Sequence, residues 1–443
     1  MKQSRLFDQT KTGIGDWKEK RQTRSPERVE IMGNQDNGTK AGSTVHLDRL
    51  QQAFSLIDEA DAVAFLQELI AINSVNPPGN ETAVAEAILR RAAAAGLETS
   101  IDEVEPERAN LFVSLNGADC SADKKVLVYS GHLDTVPTGS IQWQHDPFGG
   151  ERVGNKVYGR GTTDMKGGVA AMILAMEYLH RAGIELNGSL RFAGTVGEEV
   201  DCLGAKAVIA RRQLDDATAM VISEPSNNQP FIAHKGALWL ELITYGKTAH
   251  GSMPEQGVNA IMAMARFIQE LNSYAFTYSP HPLLGHPTMN IGVIHGGVKT
   301  NVVPDQCSLM LDIRTVPGQS HSAIIQELNE LLERVCEPIG ARFAIHTAND
   351  LPAVTTDPDD PFIQLSLNAA MAFLGREVLA KGVNYYTDGS VYGPHLGIPI
   401  LIYGPGEPTM AHQPDEWIEV DNYLESIRYY MGLAVSYLGI RSE

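Results

Sequence analysis

Five short apolar segments constrain the fold of this chain more than any other feature of its sequence. They are residues 110–115, 126–130, 189–196, 219–223 and 399–403. These segments are too continuously apolar for half-exposed strands and too short for helices. Strands of this kind occur in a sheet whose two faces are covered by helices. The sequence therefore predicts an α/β fold.

Helical patterns separate these predicted strands. Residues 47–71 carry an apolar stripe at helical spacing, and residues 82–95 form a second helical segment that ends at Gly96. An Asn-Pro-Pro-Gly sequence at 76–79 breaks the chain between the two segments. The glycine-rich segment 166–182 is predicted to be a helix between two strands.

The pattern changes between residues 232 and 347. The predicted order there is β-α-β-β-α-β, which is the ferredoxin-like split βαβ unit. The predicted elements are strand 238–245, helix 257–273, strand 288–296, strand 306–315, helix 320–337 and strand 341–347. We therefore predict a larger domain, residues 49–231 and 348–443, that is interrupted by an inserted α+β domain, residues 232–347.

The charge of the chain excludes several classes of partner. Among its 443 residues, 54 are acidic and 35 are basic, which gives a net charge of −19. Such a chain repels phosphate backbones and anionic lipids, so we expect no binding to nucleic acid or to membrane surfaces. No apolar segment reaches the about 18 residues of a membrane-spanning helix. The four cysteines form no CxxC pair, which indicates reduced thiols in a cytoplasmic protein.

The first 48 residues differ from the rest because they are polar and lack a sustained apolar period. We expect a disordered tail there. A transit peptide is a weaker interpretation because the segment contains several acidic residues, and a start site placed too far upstream is a third.

Acids and histidines follow the predicted buried strands at the point where each strand ends. His132 comes after the second strand, Glu198 and Glu199 after the third, Glu224 after the fourth, and a loop that reaches His412 after the fifth. Ligands of open α/β sheets bind beyond the carboxyl ends of the strands. We expect these side chains to share one edge, joined by an aspartate in the turn before the helix at 166–182, Asp164.

These residue types indicate a hydrolytic metal site. Imidazole and carboxylate without thiolate suit zinc, manganese or cobalt. Two histidines and three carboxylates exceed the ligands of one catalytic zinc, but they suit two ions about 3.5–4 Å apart that share a bridging carboxylate. One remaining acid can then accept a proton from the attacking water.

The sequence resembles the zinc metallopeptidase family of acetylornithine deacetylase, succinyl-diaminopimelate desuccinylase, aminoacylase and glutamate carboxypeptidase. The resemblance covers about residues 50–440. The matching segments are 130–137, 159–168, 197–199, 223–225, 248–251, 301–304 and 404–412. It implies a catalytic domain built on a mixed sheet covered by helices, with an inserted ferredoxin-like domain that serves as lid and dimerisation domain.

The resemblance also implies a ligand set. His132 and Glu224 would hold one zinc ion, Glu199 and His412 would hold the other, and Asp164 would bridge both. Cobalt or manganese can substitute for zinc in such sites.

Further roles follow from the same resemblance. Asp134 would orient the imidazole of His132, and Glu198 would be the general base. His250 would stabilise the oxyanion, often across a dimer interface. The peptide bond between Asp164 and Met165 would be cis.

The substrate contacts implied by the resemblance are Asn301 and Arg314, which would bind a carboxylate, and Gly389 in a loop that contacts the substrate backbone. A planar guanidinium suits a carboxylate. A homodimer through the inserted domain is also implied.

The leading functional hypothesis is a dizinc amidohydrolase that removes the acyl group from an N-acyl amino acid. A metallo-dipeptidase or carboxypeptidase of the same family is the alternative within enzymes. A non-catalytic metal-binding relative would have lost part of the ligand set, and a glycosidase would use Glu198 without metal. Cys202 is interpreted as a core residue, because it has no evident histidine partner.

Overall fold

Strands and helices alternate along the chain in a computed structural model, which describes residues 48–441 except 120, 122 and 123. The predicted tail lies outside these residues apart from Asp48. In chain order, the strands are β1 (Glu98–Glu105), β2 (Arg108–Leu115), β3 (Val126–His132), β4 (Arg152–Val153), β5 (Lys156–Tyr158), β6 (Ser189–Thr195), β7 (Ala219–Ile222), β8 (Phe231–His234), β9 (Ala237–Tyr245), β10 (Thr288–Gly296), β11 (Gln306–Arg314), β12 (Arg342–Leu351), β13 (Val354–Thr355), β14 (Lys381–Val383), β15 (Ile400–Ile402) and β16 (Trp417–Glu419).

The helices cover these strands, and five of those described lie where the sequence pattern predicts a helix. In chain order, they are α1 (Glu59–Ala71), α2 (Glu81–Ala94), α3 (Lys166–Arg181), α4 (Leu203–Ala210), α5 (Ala260–Leu271), α6 (His321–Cys336), α7 (Pro361–Leu374), α8 (Gly389–Leu396) and α9 (Val420–Leu438). None of the described helices is both long and apolar enough to span a membrane.

Nine of the described strands form one mixed sheet, which confirms the predicted α/β class. Their order is β1-β2-β6-β3-β7-β15-β8-β13, and β14 pairs with β8. The central strands β6, β3, β7 and β15 run parallel to one another. Strand β3 is buried along its whole length, and helices α3 and α9 pack against it. The parallel run places the carboxyl ends of four strands at one edge.

A second sheet of four strands, called the small sheet below, forms with two helices the predicted β-α-β-β-α-β order. Its strands are antiparallel in the order β10-β11-β9-β12, and helices α5 and α6 share a separate apolar core with them. The last strand is longer than predicted and runs to Leu351. Strand β8, which belongs to the large sheet, ends at His234, and the first strand of the small sheet, β9, begins at Ala237.

The predicted helix over 47–71 is wrong in one respect, because it is broken at 55–58. Residues 48–54 are helical, and α1 begins only at Glu59. Asp58 caps α1, since its side chain accepts hydrogen bonds from the backbone N–H groups of Ala60 and Asp61. The apolar stripe continues through the break, so periodicity alone could not reveal it. The pattern also missed a three-stranded sheet, β16-β5-β4.

Helix α3 approaches the large sheet closely because its first turn contains two glycines. A Cβ atom on Gly168 would lie 2.3 Å from the carbonyl oxygen of Ser223, and one on Gly167 would lie 2.4 Å from that of Thr162. Both distances are too short for any side chain. Gly168 therefore lets α3 pack against the end of β7, one residue before Glu224, and Gly167 lets the helix pack against the turn that precedes it.

Replacement of Gly168 by alanine should destabilise the fold. The added methyl group overpacks a rigid backbone contact, so we expect the free energy of unfolding to fall by about 1–3 kcal/mol. Urea denaturation measures this change. Gly292→Ala is the control, because a Cβ there meets only Asn290 Nδ2, at 3.8 Å. Equal unfolding midpoints for the two variants would contradict the packing role.

Candidate metal centre

Four neighbouring parallel strands of the large sheet end at the candidate site. Strand β3 ends on His132, β6 is followed by Glu198 and Glu199, β7 by Glu224, and β15 by the loop that carries His412. The strands are adjacent in the order β6-β3-β7-β15. The side chains therefore meet at the edge where open α/β sheets bind ligands.

All five predicted metal ligands come together there. One carboxylate oxygen of Asp164 lies 3.1 Å from Nε2 of His132, and the other lies 3.3 Å from Nε2 of His412. A Glu224 oxygen lies 3.7 Å from Nε2 of His132. A Glu199 oxygen lies 3.1 Å from Nε2 of His412. Asp164 thus lies between two histidine–glutamate pairs.

The donor atoms fit divalent cations. The ligand atoms of His132, Asp164 and Glu199 lie within 4.8 Å of one another, and so do those of His132, Glu198 and Glu224. Oxygen Oε1 of Glu199 is buried and has no hydrogen-bond partner among the described residues. Imidazole and carboxylate donors at this spacing suit zinc and related divalent ions.

The electrostatics of the site also favour cations. Burial and neighbouring carboxylates raise the pKa of Glu198 and Glu224 well above the usual range. Burial and the charge of Asp164 raise the pKa of Glu199. Hydrogen bonds to Asp164 and Glu199 raise the pKa of His412 to about 10. Close carboxylates repel unless a proton or cation lies between them. Cation binding must therefore release protons, so metal affinity rises with pH.

Asp134 connects two of the loops that carry these residues. Nδ1 of His132 lies 3.0 Å from the backbone oxygen of Asp134 and 3.5 Å from its carboxylate. The carboxylate accepts the backbone N–H groups of Glu198 and Glu199 at 3.2 and 3.3 Å, and the side-chain amide of Asn76 at 2.8 Å. Asp134 therefore positions the glutamate pair as well as the imidazole.

A buried ion pair between Arg160 and Glu416 holds the turn that carries Asp164. The Glu416 carboxylate accepts backbone N–H groups from Gly161, Thr163 and Asp164 at 2.8–3.1 Å. Nη1 of Arg160 donates to Glu416 at 2.5 Å. Nη2 of Arg160 donates to the carbonyl oxygen of His412 at 3.4 Å. The pair thus joins the turn of Asp164 to the loop of His412.

Sequence reasoning missed these supporting residues. Glu416 and Arg160 lie 256 positions apart in segments without a helical or strand pattern. Asn76 lies in the Asn-Pro-Pro-Gly break, where nothing in the sequence links it to Asp134. The only feature of the sequence that could have pointed to these residues is that they are polar and lie directly beside predicted turns.

A cavity of about 380 Å³ opens beside the acids and histidine. Arg314 lines it, together with aromatic residues that the sequence did not indicate. The lining residues are Val136, Asp164, Glu198, Glu199, Glu224, Pro225, Trp239, Arg314, Tyr385, Tyr386, Ala411 and His412. The predicted carboxylate-binding arginine and the metal cluster therefore face the same space.

Three other predicted residues do not line this cavity. His250 is exposed and its Nδ1 lies 2.8 Å from the hydroxyl of Ser252. Asn301 is exposed near Gly251, and Gly389 is buried against His234. Their roles stay predictions. The peptide bond between Asp164 and Met165 is cis, as the resemblance implies.

Replacement of Glu416 by glutamine should weaken both the fold and metal binding. The neutral amide would leave the buried guanidinium of Arg160 without its counter-ion, which costs about 3–5 kcal/mol of unfolding free energy. Looser support of the Asp164 turn should lower metal affinity about 10–100-fold. Calorimetric zinc titration and urea denaturation measure the two effects.

The matched control is Asp216→Asn, which removes a partly exposed ion pair with Arg191. Such a pair contributes about 0–1 kcal/mol. If Glu416→Gln bound zinc with the same affinity as Asp216→Asn, the positioning role would be wrong.

The sequence of this chain is similar to those of several known proteins. A sequence model of Peptidase family M20/M25/M40 matches residues 128–436. A probable succinyl-diaminopimelate desuccinylase of Staphylococcus epidermidis is 29% identical over 416 aligned positions, which cover 87% of this chain and 99% of the relative. Acetylornithine deacetylase of Edwardsiella ictaluri is 35% identical over 309 positions, which cover 67% of this chain and 76% of the relative.

Solved structures show the same fold. A dinuclear metal binding peptidase of the M20 family from Bacillus subtilis superposes with a TM-score of 0.67 at 19% identity, over 87% of this chain and 99% of that chain. The family match covers more than half of the chain, and histidine and carboxylate donors converge at one edge of its sheet. The chain is therefore a metal-dependent hydrolase that belongs to Peptidase family M20/M25/M40.

Proposed function

We propose that this enzyme hydrolyses the amide bond of an N-acyl amino acid with the help of two divalent cations. The observation that carries the proposal is the position of Asp164, whose two carboxylate oxygens face His132 and His412 separately. A carboxylate in this position can bridge two ions about 3.5–4 Å apart. His132 and Glu224 would hold one ion, and Glu199 and His412 the other.

Two zinc ions fit the nitrogen and oxygen donors of the site, and cobalt or manganese can replace them. The structural neighbour from Bacillus subtilis is described as dinuclear, which supports the number of ions. When bound, the ions polarise the amide carbonyl and lower the pKa of a water molecule to about 7.

Glu198 is the proposed general base. Its carboxylate lines the cavity, and Asp134 accepts its backbone N–H at 3.2 Å. Glu198 takes a proton from the attacking water, whose oxygen bonds to the amide carbon. It then passes this proton to the nitrogen as the C–N bond breaks. The acid that forms gives its remaining proton to the amine, so the products are a carboxylate and a free amino acid.

The substrate carboxylate is proposed to bind Arg314, which faces the cavity. A guanidinium offers parallel N–H groups that match the two oxygens of a carboxylate. Asn301 and Gly389 are proposed substrate contacts on the resemblance alone, and so is His250 as the oxyanion ligand.

A metallo-dipeptidase or carboxypeptidase is the second candidate. The observation in its favour is the solved peptidase of the same fold and family. The two candidates differ in whether the acyl part carries a free amine. Comparison of kcat/KM for N-acetyl amino acids and for dipeptides separates them.

We further propose a homodimer through the small sheet. Strand β10 is one of its two edge strands and is exposed over most of its length. The exposed fractions of Val293 and Ile294 are 44% and 49%, and Val298 beyond the strand is 85% exposed. Ile261 on α5 and Val298 line one groove beside Gly251. An exposed apolar edge strand is a template for pairing with another chain. A second copy on this face would lie beside His250.

Glu198→Gln tests the proposed base. Glutamine keeps the size of the side chain but cannot accept the proton, so we expect kcat to fall about 10²–10⁴-fold. Metal content, measured by mass spectrometry after gel filtration, should stay at two ions per chain. Loss of one ion would show that Glu198 is a ligand, which its place beside His132 and Glu224 also permits. Unchanged turnover would exclude both roles.

Val293→Lys tests the proposed dimer. A buried, unpaired ammonium in the interface should shift the protein from dimer to monomer in sedimentation velocity. Val153→Lys is the matched control, because Val153 is similarly exposed, at 48%, but lies on β4 of the three-stranded sheet. A monomeric wild type, or a dimer that persists in Val293→Lys, would contradict the proposal.

A further inference from the structure

One side of the cavity carries an aromatic wall, formed by Trp239, Tyr385 and Tyr386. The rings of Trp239 and Tyr386 meet edge to face, with centroids 6.2 Å apart. The guanidinium carbon of Arg314 lies 5.8 Å from the Trp239 ring centroid and 5.7 Å from that of Tyr386. The proposed carboxylate ligand is thus flanked by two aromatic rings.

The polar atoms of this wall are already engaged by the protein. The hydroxyl of Tyr386 donates to the carbonyl oxygen of Glu198 at 3.3 Å, and that of Tyr385 donates to the carbonyl oxygen of Pro225. Nε1 of Trp239 donates to Asp312 at 3.0 Å. The wall therefore offers a ligand ring carbon and no free hydrogen-bond donor.

A single carboxylate fixes the geometry of this region. Asp312 and Trp239 are direct partners on the neighbouring strands β11 and β9. Asp312 accepts from Trp239, and its Oδ1 lies 2.9 Å from Nε of Arg314. The arginine and the tryptophan are thus held on the same face of the small sheet before any ligand binds, as side chains two residues apart on one strand share a face.

The charges of the cavity are unevenly distributed. Arg314 is the only lysine or arginine among the described residues that line it, and the acids are the proposed metal ligands and base. Lys235 interacts electrostatically with Arg314 but does not line the cavity, and its ammonium donates to the carbonyl oxygen of His286 at 2.7 Å. An anionic side chain would find no counter-charge here beyond Arg314, and the acids that a cationic side chain could reach are those proposed to hold the cations and to act as base.

We infer that the amino acid released by this enzyme carries a large apolar or aromatic side chain, an inference that rests on the proposed amide hydrolysis. The carboxylate and the side chain of an amino acid branch from the same Cα atom. A carboxylate on Arg314 therefore places the side chain against the rings of Trp239 and Tyr386. The guanidinium of Arg314 already lies against both rings, so an ammonium there would meet a like charge. A carboxylate would have to lose its water against ring carbon, whereas an apolar group would not. This class differs from the charged substrates in the names of the relatives.

A substrate panel tests the inference. The zinc-loaded enzyme is assayed with N-acetyl-phenylalanine, N-acetyl-leucine, N-acetyl-ornithine and N-succinyl-diaminopimelate. We expect kcat/KM for the first two to exceed that for the last two by at least about 10-fold, the effect of about one methylene group in an apolar pocket. Equal or reversed preference would overturn the inference.

Two dipeptides, glycyl-phenylalanine and glycyl-lysine, separate this inference from the proposed function. If N-acyl amino acids are not cleaved but glycyl-phenylalanine and glycyl-lysine are, deacylation is wrong. The ratio between those two dipeptides then decides the side-chain preference by itself.

Trp239→Leu should reduce the ratio of kcat/KM for N-acetyl-phenylalanine to that for N-acetyl-ornithine about 10-fold, and Trp239→Phe should largely restore it. The ratio is measured on one enzyme sample and is therefore independent of the folded fraction. Tyr278→Leu, at a 37% exposed tyrosine outside the cavity lining, is the control and should leave the ratio unchanged. If the ratio in Trp239→Leu equalled that of the wild type, the aromatic wall would not select the substrate.

Discussion

The structure depends on the burial of four carboxylates at the carboxyl ends of the parallel strands in the large mixed sheet. Burying an isolated charge costs several kcal/mol, and neighbouring like charges add to that cost. The fold accepts this cost because the acids face a space where cations can neutralise them. The four residues are Asp164, Glu198, Glu199 and Glu224.

A second group of buried acids makes that arrangement rigid. Asp134 and Glu416 do not line the cavity. Their carboxylates accept hydrogen bonds from backbone N–H groups of the segments that carry Asp164, Glu198 and Glu199. Such outer contacts orient ligands and tune the affinity of metal sites. The positions of the proposed ligands are thus set by hydrogen bonds between side chains and backbone, and by the close approach of α3 that Gly168 permits.

The sequence predicted the features that depend on local pattern. Continuous apolar runs identified the central strands, and the shared edge of parallel strands explains why His132 and His412 could be placed together although 280 positions separate them. Partners in irregular segments carry no such pattern, so the Arg160–Glu416 pair and Asn76 were not found. Tertiary packing also decides which side chains line the cavity. The local sequence pattern therefore did not reveal Trp239 and Tyr386.

The cavity is shared between two sheets with different tasks. The strand ends of the large sheet carry proposed donor atoms for cations, whereas β9 and β11 of the small sheet supply Trp239 and Arg314, which Asp312 holds in place. Each sheet packs around its own apolar core. Substitutions on β9 and β11 can therefore alter which compounds are accepted while the residues of the large sheet keep their positions. One scaffold can thus diversify its substrates through a few positions of the small sheet.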